Sequence, residues 1–237
     1  MRIDSSAFSS RCLRLMAPML NCYHRGGRRA VDVLVSGAAL CVAWPLMAVI
    51  AVVIRLTMGS PVLFRQVRPG LHERIFTILK FRTMTEACGP DGELLPPETR
   101  ITWLGRLLRT ASLDELPELW NVLRGDMSLV GPRPWLPKYL PLYSDFQKRR
   151  HEVSPGITGL AQVRGRNRLS WDERIALDVW YVDHCGFLMD CAIVARTVWR
   201  VLARKDVGEG AATTSQEFRG GAACAGGSRG HSAGAAQ

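Results

Sequence analysis

The 237-residue sequence has none of the short signatures that announce the commonest enzyme chemistries. G-x-x-x-x-G-K-[ST] is absent, which removes a P-loop. G-x-G-x-x-G, H-E-x-x-H and G-x-S-x-G are absent too, so dinucleotide, metalloprotease and serine-hydrolase readings have no support. His24, His72, His151, His184 and His231 are isolated, and none has metal-ligand spacing. Cys12, Cys22, Cys41, Cys88, Cys185, Cys191 and Cys224 are scattered, odd in number, and form no C-x-x-C. That pattern argues against a secreted disulfide scaffold and a zinc ribbon; it suits small buried hydrophobes in a reducing compartment. No internal repeat is visible.

Acid is also in short supply. Lys and Arg number 31 against 21 Asp and Glu, a net charge of +10. Such a surplus favours an anionic partner: nucleic acid, anionic lipid or a phosphorylated substrate. Hydrophobic residues make up 47% and mean hydropathy is +0.02. The chain is too polar for a polytopic membrane protein and too apolar for a disordered one.

One long apolar run is present. Val31 to Ile54 is uncharged apart from Asp32. As a helix it would extend about 36 Å, enough to cross a hydrocarbon core. It begins too late and runs too long for a signal peptide. Pro45 interrupts it, and arginines flank both ends: Arg25, Arg28 and Arg29 before, Arg55, Arg65 and Arg68 after. Basic flanks on both sides favour one common face. A helix that breaks at Pro45 and returns to the face it entered satisfies both facts. A buried core helix is the plainer alternative.

Downstream the pattern is mixed. Val62–Phe64 and Ile75–Phe81 read as strands around a Pro69-Gly70 turn, and 86–97 as a loop. Arg100–Arg109, Leu113–Leu123, Tyr139–Glu152, Trp171–Tyr181 and Cys191–Ala203 read as helices. In the last, Arg196, Arg200 and Arg204 oppose Ile193, Val194, Val198 and Val201, a pattern found on membrane surfaces and on ordinary solvated helices. From about Val207 the chain is rich in Gly, Ala, Ser and Thr, and 220–237 reads as disordered.

The run from Thr110 to Pro134 holds the densest chemistry. Its plain reading is structural: Ser112 and Glu115 fit a capping box. Its functional reading uses the same place. A carboxylate at a helix start meets free N–H groups that also attract phosphate. Arg109, Arg124 and Arg133 are near in sequence and suit phosphate oxygens. An aspartate can accept a phosphoryl group covalently. Adjacent acids do not share a helix face, so Asp114 and Glu115 would need distinct roles.

The ordered motifs Gly59–Gly70, Lys80-Phe-Arg-Thr-Met84, Ser112-Leu-Asp-Glu-Leu-Pro117, Gly125–Pro134, Pro155–Gly159, Gly165-Arg-Asn167 and Leu177–Val182 resemble the bacterial sugar transferase family, the monotopic phosphoglycosyl transferases. The resemblance spans about residues 28 to 205. It is strongest to the small members that transfer N,N'-diacetylbacillosamine 1-phosphate, whose C-terminal segment Val207–Phe218 resembles. It implies transfer of a sugar-1-phosphate from a UDP-sugar to undecaprenyl phosphate, releasing UMP through a phosphosugar–aspartate intermediate. It implies Asp114 as nucleophile and Mg²⁺ ligand, with Glu115 assisting. Arg109 and Arg133 would hold phosphate, with Pro132 and Pro134 near the nucleotide. Lys80 and Arg82 are further candidates for phosphate or lipid headgroup.

The resemblance also implies an α+β fold, mainly helical with a small β element, a re-entrant helix at 28–57 broken at Pro45, and interfacial amphipathic helices. Residues 1–27 would be a basic lead, 58–206 the catalytic domain on the cytoplasmic face of the inner membrane, and 207–237 a flexible tail. Trp44 replaces the family's Ser before Pro45, Leu160 replaces the commoner Trp, and Cys185-Gly186 departs from a Ser-containing stretch. These lie away from the dyad and bear on packing or substrate preference. Expected partners are UDP-sugar, undecaprenyl phosphate and anionic lipids, not nucleic acid, with a second copy of the chain left open. The alternatives are a galactose or glucose 1-phosphate transferase of exopolysaccharide synthesis and a non-enzymatic basic adaptor.

Overall fold

The computed structural model describes residues 26–165, 169–203 and 218. Nearly all of the basic lead, Arg166 to Arg168, and the C-terminal tail apart from Phe218 lie outside the described residues. So does the segment 207–217 that carried the small-member resemblance.

The apolar run forms helix α1, Arg28–Met58. The helix assignment runs on through Pro45, the place of the expected break. Proline removes one N–H and displaces one carbonyl, a local loss that flanking turns of Leu, Met, Ala, Val and Ile outlast. Both ends of α1 are tied to the same domain. At its start, Arg28 bonds the Val130 carbonyl and, at 3.0 Å, the Tyr181 hydroxyl. Arg29 donates to the Val122 and Leu123 carbonyls, at the C-terminal end of a helix where carbonyls lack partners. Asp32 is buried and accepts from Ser128 Oγ at 3.1 Å and Leu129 N at 2.9 Å. At its end, Ile50 and Ile54 pack with Phe81, Leu104 and Leu108. Between these anchorages Val42 and Trp44 are 81% and 65% exposed. Among the described residues α1 is the one helix long and apolar enough to cross a membrane.

Strands β1, Leu63–Pro69, and β2, Ile75–Phe81, form an antiparallel hairpin with Phe64 opposite Lys80, Gln66 opposite Ile78 and Arg68 opposite Phe76. Side chains alternate across a strand, so Lys80, Gln66 and Arg68 share one face. The β1 strand continues through the segment expected to be a polar turn, because its outer edge tolerates arginines. Asn121 closes the free edge of β2: its amide accepts from Leu79 N at 3.1 Å and donates to Thr77 O at 2.8 Å.

The helices follow in short pieces. The expected Arg100–Arg109 helix is two, α2 at Pro97–Arg100 and α3 at Trp103–Thr110, separated where Ile101 bridges to Met84. The expected Leu113–Leu123 helix is a 3-10 turn, Leu113–Glu115, followed by α4, Glu118–Arg124. Strand β3, Ser128–Val130, pairs in parallel with β4, Gly156–Thr158. The expected Tyr139–Glu152 helix is a 3-10 turn at Pro137–Leu142, helix α5 at Asp145–Lys148, and a further 3-10 turn at Arg149–His151. Pro141 supplies no donor there. Helix α6, Leu160–Arg164, precedes α7, Trp171–His184, and α8, Phe187–Leu202. The result is mainly helical with a small β element, the α+β class expected. On α8, Val198 and Trp199 are 52% and 66% exposed beside Arg200.

Candidate active site

The site is built where the hairpin meets the start of α4. Helix α3 leans against the end of β2 through Gly105, where a Cβ would stand 1.9 Å from the Thr83 carbonyl oxygen. Only glycine permits that approach. It brings Arg109 Nε to Thr83 Oγ1 at 3.0 Å. Ser112 then adopts a left-handed conformation, φ 54°, which turns the chain and presents Asp114 and Glu115 on the 3-10 turn. Ser112 makes no cap hydrogen bond. The capping-box reading is therefore overturned, because a left-handed residue cannot aim its hydroxyl at the following turn.

Glu115 is clamped. Lys80 Nζ lies 2.6 Å and Arg133 Nη2 2.7 Å from Glu115 Oε1. Lys80 also reaches Glu118 Oε1 at 2.9 Å. The two cations hold the Glu115 carboxyl far below the usual carboxylate range against the opposing effect of burial. Glu118 is 2% exposed; burial, with Glu115 nearby, pushes it up to about 7. The same ion pair raises Arg133 further. Asp114 differs from both. No hydrogen bond or ion pair holds its carboxylate among the described residues. Burial and the Glu115 charge raise its pKa, while Lys80, Arg109 and Arg133 oppose that rise from a distance.

Arg133 is set in place by its neighbours. Gly156 N bonds the Pro132 carbonyl at 3.1 Å, Arg68 Nη1 bonds the Pro134 carbonyl at 3.1 Å, and Arg150 Nη2 bonds the Arg133 carbonyl at 2.6 Å. Gly131 and Gly156 touch backbone to backbone: a Cβ on Gly156 would lie 2.1 Å from Gly131 N. Arg150 is held in turn by a buried ion pair with Asp178 at 2.7 Å.

These groups face a cleft of about 1650 Å³. Pockets for one small ligand run to roughly 300–1,000 Å³, so this one has room for two. Of the expected site residues, Lys80, Arg82, Arg109, Asp114, Glu115 and Arg133 line it. Pro132 and Pro134 do not; their buried rings frame the loop that aims Arg133. Arg124 turns away, 61% exposed and 3.6 Å from Asp126. Arg82 hydrogen-bonds the Ser60 and Met84 carbonyls at 3.0 and 3.1 Å. Pro45 is remote from the cleft on α1. Lys80 and seven arginines (65, 68, 82, 100, 109, 133 and 174) line the cleft against four acids, Glu86, Asp114, Glu115 and Asp178. That excess suits a polyanion.

Sequence reasoning overlooked Glu118 and Arg68. Glu118 lies in the same acidic run, so its proximity to Glu115 was a usable signal. The alternation of the hairpin, had β1 been carried past Phe64, would have put Arg68 on the Lys80 face.

The bacterial sugar transferase family matches residues 23–204. The uncharacterized sugar transferase EpsL of Bacillus subtilis is 50% identical over 193 residues, 81% of this chain and 96% of that protein. A UDP-glucose:undecaprenyl-phosphate glucose-1-phosphate transferase of Caulobacter vibrioides is 42% identical over 181 residues, 72% of this chain and 68% of the relative. An undecaprenyl-phosphate galactose phosphotransferase of Salmonella typhimurium is 38% identical over 197 residues, 76% of this chain but 41% of that longer protein.

Proposed function

The chain belongs to the bacterial sugar transferase family and is a phosphoglycosyl transferase, and we propose that it moves a hexose-1-phosphate from a UDP-sugar to undecaprenyl phosphate through a phosphosugar bound to Asp114. The observation that carries the reading is the contrast within the dyad: a clamped Glu115 beside an Asp114 carboxylate without a partner, in a cleft lined by cations. Relatives named for glucose and galactose support a hexose.

In the first step an Asp114 carboxylate oxygen attacks the β-phosphorus of the UDP-sugar. A P–O bond to Asp114 forms, the P–O bond to UMP breaks, and its electron pair leaves on the UMP phosphate. In the second, a phosphate oxygen of undecaprenyl phosphate attacks the same phosphorus. Undecaprenyl-diphosphate-sugar leaves and the Asp114 carboxylate is regenerated. Preorganised cations stabilise charge where it develops without rearranging. Arg109 and Arg133 are placed to do this, and Glu115 fixes the direction of Arg133.

Among the described residues no group of three or more His, Cys, Asp and Glu side chains is placed to hold a metal. An unpartnered carboxylate does fit Mg²⁺, which takes one or two carboxylates plus substrate phosphates rather than a protein cage. Asp114 would hold it. Bound Mg²⁺ would neutralise diphosphate charge.

The anchorage of both ends of α1 on one domain supports a helix that lies in, rather than crosses, the membrane, and the arginines flanking it on both sides favour the cytoplasmic face for the cleft. A second sugar reading, an N-acetylated amino sugar, draws on residues up to Phe218, whose ring lies 5.4 Å from Trp171 beside the cleft. The test is purified protein with undecaprenyl phosphate, Mg²⁺ and a panel of UDP-sugars, reading UMP. UDP-glucose or UDP-galactose should give the fastest release. Selective release from UDP-N-acetylated amino sugars would favour the second reading, and no release from any would refute both.

A further inference from the structure

Arg68 stands in the cleft wall with its charge unanswered. Its guanidinium is fixed by neutral acceptors, the Pro134 carbonyl and the Gln66 side-chain oxygen. Its Nε is buried and has no hydrogen-bond partner among the described residues. No carboxylate pairs with it among the described residues, since Glu118 is engaged by Lys80. A buried charge normally has a partner. Here the charge felt most strongly is a like one, Arg133; burial and that neighbour lower the Arg68 pKa to about 10. Arg68 and Arg133 line the same cleft, and two guanidinium groups that repel each other in one cleft are suited to the oxygens of a phosphate.

Position decides which phosphate. Arg68 and Arg82 lie at opposite ends of the hairpin, about 20 Å apart along a strand. Arg82 is next to α1, hydrogen-bonding the Ser60 carbonyl just past its end. Arg68 is at the other end, beside the loop that continues into Trp135. There Trp135, Tyr139, Trp171 and Arg174 also line the cleft, with the Trp135 and Trp171 rings 4.6 Å apart. Aromatic surface suits a nucleobase; proximity to the apolar helix suits a lipid.

We infer that the cleft is polarised, with Arg68 and Arg133 binding the phosphate of the nucleoside monophosphate at the aromatic end and the lipid phosphate entering from the Arg82 end. This rests on the transferase reading. When the phosphorus–oxygen bond to UMP breaks, the bridging oxygen becomes a terminal oxygen carrying new negative charge. Arg68 is the group that receives it, a positioning and charge-accepting role for the leaving nucleotide.

The test uses full-length protein in detergent, measuring UMP affinity by calorimetry, the KM for UDP-sugar and the KM for undecaprenyl phosphate. Arg68→Gln should weaken UMP binding about 10- to 100-fold, the loss expected of a charge-assisted bidentate contact. It should lower the rate of UMP release and leave the lipid KM within about two-fold. Arg68→Lys, which keeps charge and loses the fork, should fall between, and serves if the Gln variant fails to fold. Unchanged UMP affinity in the folded variants, whatever their melting temperatures, would overturn the inference. So would a raised lipid KM with normal UMP affinity, which would place the lipid phosphate at Arg68. Wild-type protein that neither binds UMP nor releases it would overturn the transferase reading itself.

Discussion

Asp114 and Glu115 are consecutive in the chain and opposite in environment. Glu115 accepts two short ion-pair contacts, from Lys80 at 2.6 Å and Arg133 at 2.7 Å, whereas Asp114 accepts none among the described residues. The left-handed Ser112 turns the chain into the 3-10 turn that carries both, and adjacent residues on such a turn do not share a face. One acid is spent on structure, which leaves the other for chemistry.

Lys80 holds two carboxylates at once. Removing it in Lys80→Met should destabilise the protein by about 3–5 kcal/mol, the cost of leaving buried acid unpaired. Glu118→Gln should cost far less, since its carboxyl already sits near 7 and a neutral amide resembles its protonated form. Chemical denaturation at pH 7 checks both. Equal losses would contradict the clamp.

Asn121 is 1% exposed and substitutes for a third strand. Asn121→Ala would orphan the Leu79 N–H and the Thr77 carbonyl, so a loss of about 2–4 kcal/mol is expected. Because β2 carries Lys80, UMP release should fall with it. A fall in stability below about 1 kcal/mol would mean water or a neighbour replaces the amide.

His151 is 7% exposed, and among the described residues neither ring nitrogen has a hydrogen-bond partner. Burial and the Arg150 charge lower its pKa to about 4; the Glu73 carboxylate, 3.8 Å away, is the nearest acid. The folded state therefore favours the neutral ring, while the unfolded chain takes a proton near 6.5. The stability contribution is whole above about pH 6.5 and is lost as pH falls toward 4, by about 2–3 kcal/mol. His151→Phe should flatten that part of the stability profile. An unchanged slope would assign it to other groups.

The anchored ends of α1 make a topological prediction. Cysteines placed just before Arg28 and just after Met58, in a background without native cysteines, should both react with a reagent confined to the cytoplasm. Periplasmic labelling of the first site would establish a full crossing.

What the sequence disclosed was local. The apolar run from Val31, the strand Ile75–Phe81 and the capped helix from Trp171 all have period or punctuation within one segment, and all were legible. Asp114, Glu115, Lys80, Arg109 and Arg133 were legible through motif order, and the fold gathers them. What escaped depends on distant contacts. Strands Ser128–Val130 and Gly156–Thr158 are too short to show alternation and exist because each completes the other. Pro132 and Pro134, expected near the nucleotide from the resemblance, stand beside the cleft rather than in its lining, with carbonyls that hold Gly156 and Arg68. Ser112 and Glu115 had capping-box spacing, and only backbone conformation could show the box is not made.

The most direct measurement is a mass spectrum of the protein after incubation with UDP-sugar and Mg²⁺ in the absence of any acceptor. One equivalent of UMP should appear as the intact mass rises by one sugar-phosphate group, and the modified peptide should contain Asp114. Undecaprenyl phosphate should then discharge the adduct. Asp114→Asn should show neither event while melting at or slightly above the wild-type temperature, because an unpartnered, partly buried carboxylate has been neutralised. UMP release that requires the acceptor from the outset, or an Asp114→Asn protein that still turns over, would contradict covalent transfer through Asp114.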